Sequence, residues 1–147
     1  MPLESSPRTL SNQRSVARKL ALQALYSWQL NECPWQDLVQ EFGEAEDMSR
    51  ADAEYFRTLV EGVWRGREEL DARLAAYADR EPRLLDPVER AALLIALYEL
   101  TARPEVPYRV AINEAVTLAK RFGATDGFKF VNAVLDRAAR ALRPDEH

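Results

Sequence analysis

A single cysteine, Cys33, and a single histidine, His147, set the first limits on this 147-residue chain. One thiol leaves no internal disulfide, which agrees with a reducing, cytoplasmic setting. One thiol and one imidazole supply neither a zinc cluster nor a Cys–His nucleophile pair. Glycine is also scarce. Two of the five glycines fall in FGATDGF, but no Lys-Ser/Thr pair follows, so this is a helix–helix connection and not a phosphate loop. No G-x-G-x-x-G follows a strand, which leaves no dinucleotide site. Long apolar runs are missing as well. The longest is bracketed by Arg90 and Glu99, far short of the ~20 residues that span a bilayer. Residues 1–11 lack the apolar core of a secretory signal. The carboxylate-rich stretch 41–54 lacks the alternating oxygen ligands and glycine of a calcium loop, so it reads as a solvated acidic face. Together these absences predict a protein with no catalytic residues, metal or cofactor, and no membrane association.

One further absence is local. Between residues 5 and 31 there is no Asp or Glu, although the chain carries a formal net charge of −4. Residues 1–30 are net +3 and residues 31–86 net −8, while residues 87–147 are net +1. An acidic total argues against a polyanion partner in general, but a basic face of this kind can still hold phosphate.

What is present is helical periodicity. SNQRSVARKLALQALYSWQLN (11–31) opens the series. PWQDLVQEF (34–42) places Trp35, Leu38, Val39 and Phe42 on one face, with Pro34 suited to a first turn and Gly43 to the end. In SRADAEYFRTLVEGVW (49–64), Ser49 and Asp52 have capping-box spacing and Gly66 follows as a break. REELDARLAAYA (67–78) continues the series. DPVERAALLIALYEL has Asp86 as cap and Pro87 in the first turn, with an interior apolar all round, the pattern of a buried central helix. RPEVP (103–107) is a rigid connector, after which Tyr108, Ala111, Ile112, Ala115, Leu118, Ala119 and Phe122 form a stripe ended by Gly123. Thr125 or Asp126 is positioned to cap a final helix carrying Phe128, Val131, Val134, Leu135 and Ala138. The expected class is all-α, about seven helices in two packed bundles. The chain is expected to form a single domain over 1–147, with subdomains about 12–80 and 84–142 and a hinge near 80–87.

Two groups of residues are candidates for binding. Arg14 and Arg18 are four apart and share a helical face; Lys19 lies about 100° around, and Leu22 and Tyr26 continue the row. Guanidinium groups bind phosphates and tyrosine stacks on an unpaired base, as in single-stranded RNA recognition. The same spacing also describes ordinary solvated arginines beside a core tyrosine. In DGFKFVNAVLD, Lys129 stands between Phe128 and Phe130, which cannot all point inward. Either Phe130 sits exposed by a lysine and a helix start, ready for a base, or it widens the core stripe.

ALQALYSWQLNE, YFRTLVEGV, ALLIALYEL and VPYRVAINEAVTLAKRFGATDGFKFVNAVLDRAA, in that order over roughly residues 14–139, resemble the bacterial NusB family of transcription antitermination factors. The resemblance implies two small helical bundles and an RNA-binding regulator. It implies pairing with NusE, a small-subunit ribosomal protein, and binding of the pair to boxA RNA. It further implies a larger assembly with other Nus factors and RNA polymerase that reads through terminators, notably in ribosomal RNA operons. By position it assigns RNA binding to Arg14, Arg18, Lys19 and Tyr26, and to Phe122, Asp126, Lys129 and Phe130, with Glu89 at the ribosomal-protein contact. Ser15 and Val16 interrupt the denser arginine run of the family, which reduces the expected electrostatic part of binding, with Arg8 as an added contact. The alternatives are the NusB-like domain of an RNA cytosine methyltransferase, for whose catalytic part the chain has no room, and a helical protein adaptor.

Overall fold

Helix starts in this chain are set by proline and aspartate. In the computed structural model, which describes residues 7–147, Asp86 Oδ1 accepts from the N–H groups of Val88 (2.9 Å) and Glu89 (3.1 Å). Pro87 sits where a missing N–H is no loss, at the start of α5 (Pro87–Ala102). Removing such a cap costs ~1 kcal/mol. Asp52 Oδ1 likewise accepts from Tyr55 N–H at 3.0 Å and opens α3 (Ala53–Arg65). The predicted Ser49 start falls instead in a 3-10 turn, Glu46–Arg50, where Ser49 Oγ donates to the Glu46 carbonyl. The remaining helices are α1 (Pro7–Leu30), α2 (Trp35–Gly43), α4 (Arg67–Ala78), α6 (Tyr108–Phe122) and α7 (Gly127–Leu142). The described residues thus hold seven α-helices and no strand.

The chain divides into two compact units, residues 1–61 and 62–147. The division falls within α3 and not at the expected hinge of 80–87, because α4 packs on α5 and α7 and so joins the C-terminal helices. In the N-terminal unit α1 packs on α2 and on the 3-10 turn. Leu20, Leu25, Leu38, Phe56 and Leu59 are fully buried there. In the C-terminal unit α5 packs on α4, α6 and α7. Residues 91–97 are all buried, as expected of an apolar helix with no polar face. Arg90 reaches Asp71 on α4 at 2.5 Å, and Arg137 Nε donates to the Tyr77 carbonyl at 3.0 Å.

The C-terminal end of α5 is closed by a residue from beyond α7. Arg143 Nε donates to the Leu100 carbonyl (2.9 Å), and Nη2 donates to those of Glu99 (3.2 Å) and Arg103 (3.1 Å). The Leu100 carbonyl lies in the last turn, where a helix has no internal donor, while those of Glu99 and Arg103 also accept from Arg103 N–H (3.1 Å) and Val106 N–H (3.0 Å). Arg143 also pairs with Glu146, whose Oε2 accepts from Tyr108 N–H at the start of α6.

Candidate nucleic-acid interface

On α1 the helical spacing holds but its destination differs from the expected one. Arg14 and Arg18 do share a face, and that face is turned onto Tyr55: their guanidinium carbons lie 4.1 and 5.6 Å from its ring centroid. Arg18 is only 3% exposed. At that burial its side chain is not presented to solvent. Arg14 Nε stands 3.9 Å from Asp52 Oδ2, and Lys19 pairs with Asp47, which Arg50 also holds. The hydrogen bond from Lys19, then that from Arg50, keeps the Asp47 carboxyl below its ordinary 3.8. The carboxylates missing from α1 are therefore supplied by the segment 46–52. Tyr26, by contrast, is 39% exposed.

Around the turn between α6 and α7 the side chains are arranged differently. The guanidinium of Arg121 lies 4.9 Å from the Phe122 ring centroid, and that of Arg80 lies 4.7 Å from Phe130. The ammonium of Lys120 stands 4.8 Å from the ring of Phe128 and that of Lys129 stands 6.0 Å from it. Phe122 is 37% exposed, and Phe128 and Phe130 are half-buried. The backbone reverses through Asp126, whose φ of 64° is left-handed. Asp126 occupies the N-cap position of α7 without a side-chain cap bond, contrary to its expected capping. It meets Lys129 at 3.4 Å instead, in a pair exposed on both sides. Ring faces attract cations without cancelling their charge, and exposed ion pairs hold little energy. Cations and aromatic faces are thus gathered in one segment, the combination that stacks bases while holding phosphate.

Glu89 does not present itself outward. It is 8% exposed, and its carboxylate lies beside Gly127, where a Cβ would come within 2.6 Å of its Cδ. Burial, then the neighbouring Asp86 charge, pushes its carboxyl above the usual range, against the opposing pull of the Ala124 backbone and the Arg80 charge. Sequence spacing had also missed Arg80, Lys120 and Gly127. Lys120 is legible as a basic residue at the end of α6, but Arg80 reaches Phe130 from 50 positions away and gives no local signal.

Among the described residues, no cluster of His, Cys, Asp or Glu is arranged to hold a metal ion. No helix there is long and apolar enough to cross a membrane.

Comparison with known proteins adds to this geometry. The chain is 49% identical over 131 residues to the transcription antitermination protein NusB of Idiomarina loihiensis, covering 89% of this chain and 94% of that one. It is 46% identical over 149 residues to the NusB of Methylobacillus flagellatus, covering 99% and 96%. Among solved structures, T. maritima NusB matches with a TM-score of 0.81 at 29% identity, over 97% of both chains. A chain from the crystal structure of the antitermination factors NusB and NusE in complex with dsRNA matches with a TM-score of 0.74 at 26% identity, over 92% of this chain and 99% of that one. The sequence motifs, the all-helical fold and a match to the NusB family over residues 15–140 agree, and the chain belongs to that family.

Proposed function

We propose that this protein is a cytoplasmic transcription antitermination factor that binds boxA-type single-stranded RNA together with NusE. In this reading the pair joins other Nus factors and RNA polymerase and supports read-through, notably in ribosomal RNA operons. The observation that carries it is the cluster at the α6–α7 turn, where cations lie over Phe122, Phe128 and Phe130. Phe122 and Phe130 offer ring faces for bases, and Lys129, with its side chain 68% exposed, offers charge for phosphate. Asp126 shapes the turn between them. Tyr26 adds a stacking surface on α1. Arg14 and Lys19 reach phosphate only by leaving Asp52 and Asp47, so they are minor contributors. Support also comes from relatives named for antitermination, 46–49% identical to this chain over most of its length.

The test is fluorescence anisotropy with labelled boxA RNA, scrambled RNA and a boxA duplex, each with and without NusE. Tightest binding of single-stranded boxA by the protein pair is expected. Equal affinity for scrambled RNA would reject sequence-specific recognition, and preference for the duplex would reject the single-stranded target.

A further inference from the structure

We propose that Arg80 is an RNA-contact residue: in the free protein its guanidinium covers the Phe130 ring, and when an RNA base takes that ring the guanidinium passes to a phosphate of the same strand. This exchange rests on the RNA-binding reading above and adds a residue to it. Phe130 is half-buried, and the guanidinium carbon of Arg80 lies over its ring, 4.7 Å from the centroid. A base stacking on Phe130 therefore competes with the guanidinium for the ring. Of the acidic groups nearby, Asp79 and Glu81 flank Arg80 in sequence and Glu89 feels its charge, yet the group its guanidinium covers is the ring. An aromatic face attracts a cation without cancelling its charge, so this charge stays available to a polyanion.

The backbone, and not the side chain alone, brings Arg80 to this place. The end of α4 is fastened to α7 by Arg137, whose Nε donates to the Tyr77 carbonyl at 3.0 Å. Phe130 and Arg137 are seven apart, about two turns, and so lie on one face of α7. Tyr77 stands in the last turn of α4 and Arg80 two residues past its end, so the two contacts follow one another along that face. Between them Asp79 closes α4 in the left-handed region, at φ 52° and ψ 40°, with its N–H donating to the Ala75 carbonyl at 2.9 Å. Glycine is the usual residue at such a helix end, and an aspartate persists there only where its surroundings hold it. The chain leaves the helix at this residue, immediately before Arg80. Exchange is favourable because a base stacks on an aromatic ring more strongly than an exposed guanidinium covers it. The released group is a planar fork of donors, weakly hydrated and matched to two phosphate oxygens.

The test uses the full chain paired with NusE, boxA RNA anisotropy across a salt series, and the NMR signal of the Arg80 Nε–H. Arg80→Ala is expected to weaken binding about 10-fold at an unchanged melting temperature, the scale of one charge-assisted hydrogen bond. It should also lower the slope of log affinity against log salt by ~0.7, the share of one phosphate contact on a single strand. Arg80→Lys keeps the charge and should keep the slope, while losing part of the affinity because an ammonium is not a fork. In the free pair the Arg80 Nε–H signal should be displaced by the Phe130 ring current, a displacement that Phe130→Ala removes and that saturating RNA abolishes in the parent. A signal still ring-shifted under saturating RNA overturns the exchange. Tighter binding by Arg80→Ala overturns it as well, since the guanidinium would then be a cover alone. If the parental pair binds no single-stranded RNA, the functional reading and the exchange fail together, whereas normal parental binding with an unaltered slope in Arg80→Ala sinks the exchange alone.

Discussion

On α1, Arg14 faces Asp52 and Lys19 faces Asp47, whereas around the α6–α7 turn Arg80, Lys120 and Arg121 lie over phenylalanine rings. Both segments look basic in the sequence. A carboxylate partner removes net charge from the first. An aromatic partner leaves the charge of Lys120 and Arg121 in place in the second, where Arg80 also acts on Glu89 and Lys129 meets Asp126. For a polyanion, the useful quantity is the charge remaining after such pairing, summed over neighbours in space and not along the chain. The acid-free first helix is thus explained within its own unit. Its carboxylates arrive from residues 46–52, and a further acid on α1 would compete for the same cations.

Substitutions can break this contrast or sharpen it. The largest effect is expected from Arg18→Glu, which places an opposite charge in a site 3% exposed. A loss of about 3–5 kcal/mol in stability, read by thermal or urea unfolding, should accompany it. An unchanged melting temperature together with weakened RNA binding would return Arg18 to the interface. Next is Phe130→Ala, for which stacking predicts a loss of about 1–3 kcal/mol in RNA affinity with little dependence on salt. Tyr26→Ala should lose less, since no cation over its ring accompanies it among the contacts described. Smaller again is Lys129→Ala, expected to lower the slope of log affinity against log salt by roughly one unit, while Arg14→Ala leaves that slope nearly unchanged. Equal slopes for the two variants would erase the contrast. The smallest effect is that of Asp47→Asn. Because Asp47 titrates below its ordinary value in the folded chain, its pair with Lys19 stabilises fully above 3.8 and fades as pH falls through the lowered value. Asp47→Asn should flatten that acid limb of the melting curve, and at neutral pH it should tighten RNA binding slightly by releasing Lys19.

Local signals account for what the sequence showed well. The Asp86–Pro87 start, the all-apolar interior of α5 and the Gly66 break are each decided within a few residues, and each stands where it was expected. The placement of Arg14 and Arg18 on one face was equally local, fixed by 3.6 residues per turn. What that face meets was not legible, because Tyr55 and Asp52 lie about forty residues away and carry no pattern tying them to α1. The same holds for Arg80 over Phe130 and for Glu89 against Gly127. In D-P-V-E the aspartate caps the helix start, whereas the glutamate lies beside Gly127, more than thirty residues on. The compact units divide elsewhere than at REPRLLDP for a related reason. REPRLLDP has the composition of a linker, yet α4 on its N-terminal side packs with the helices that follow.

The fan of hydrogen bonds made by Arg143 has a consequence for proteolysis. Arg140, three residues earlier on the last turn of α7, carries an exposed side chain, whereas Arg143 is buried and followed by Pro144. Trypsin needs an arginine side chain in extended, unfolded backbone, so cleavage after Arg140 waits for the end of α7 to fray. Such a cut would remove both Arg143 and Glu146, taking the side-chain donor from the Leu100, Glu99 and Arg103 carbonyls and the acceptor from the first N–H of α6 at a single stroke. Where fraying is fast relative to cleavage, the rate at that one bond follows the free energy of opening, so a single short peptide released from the chain reports how firmly α5 and α6 are joined.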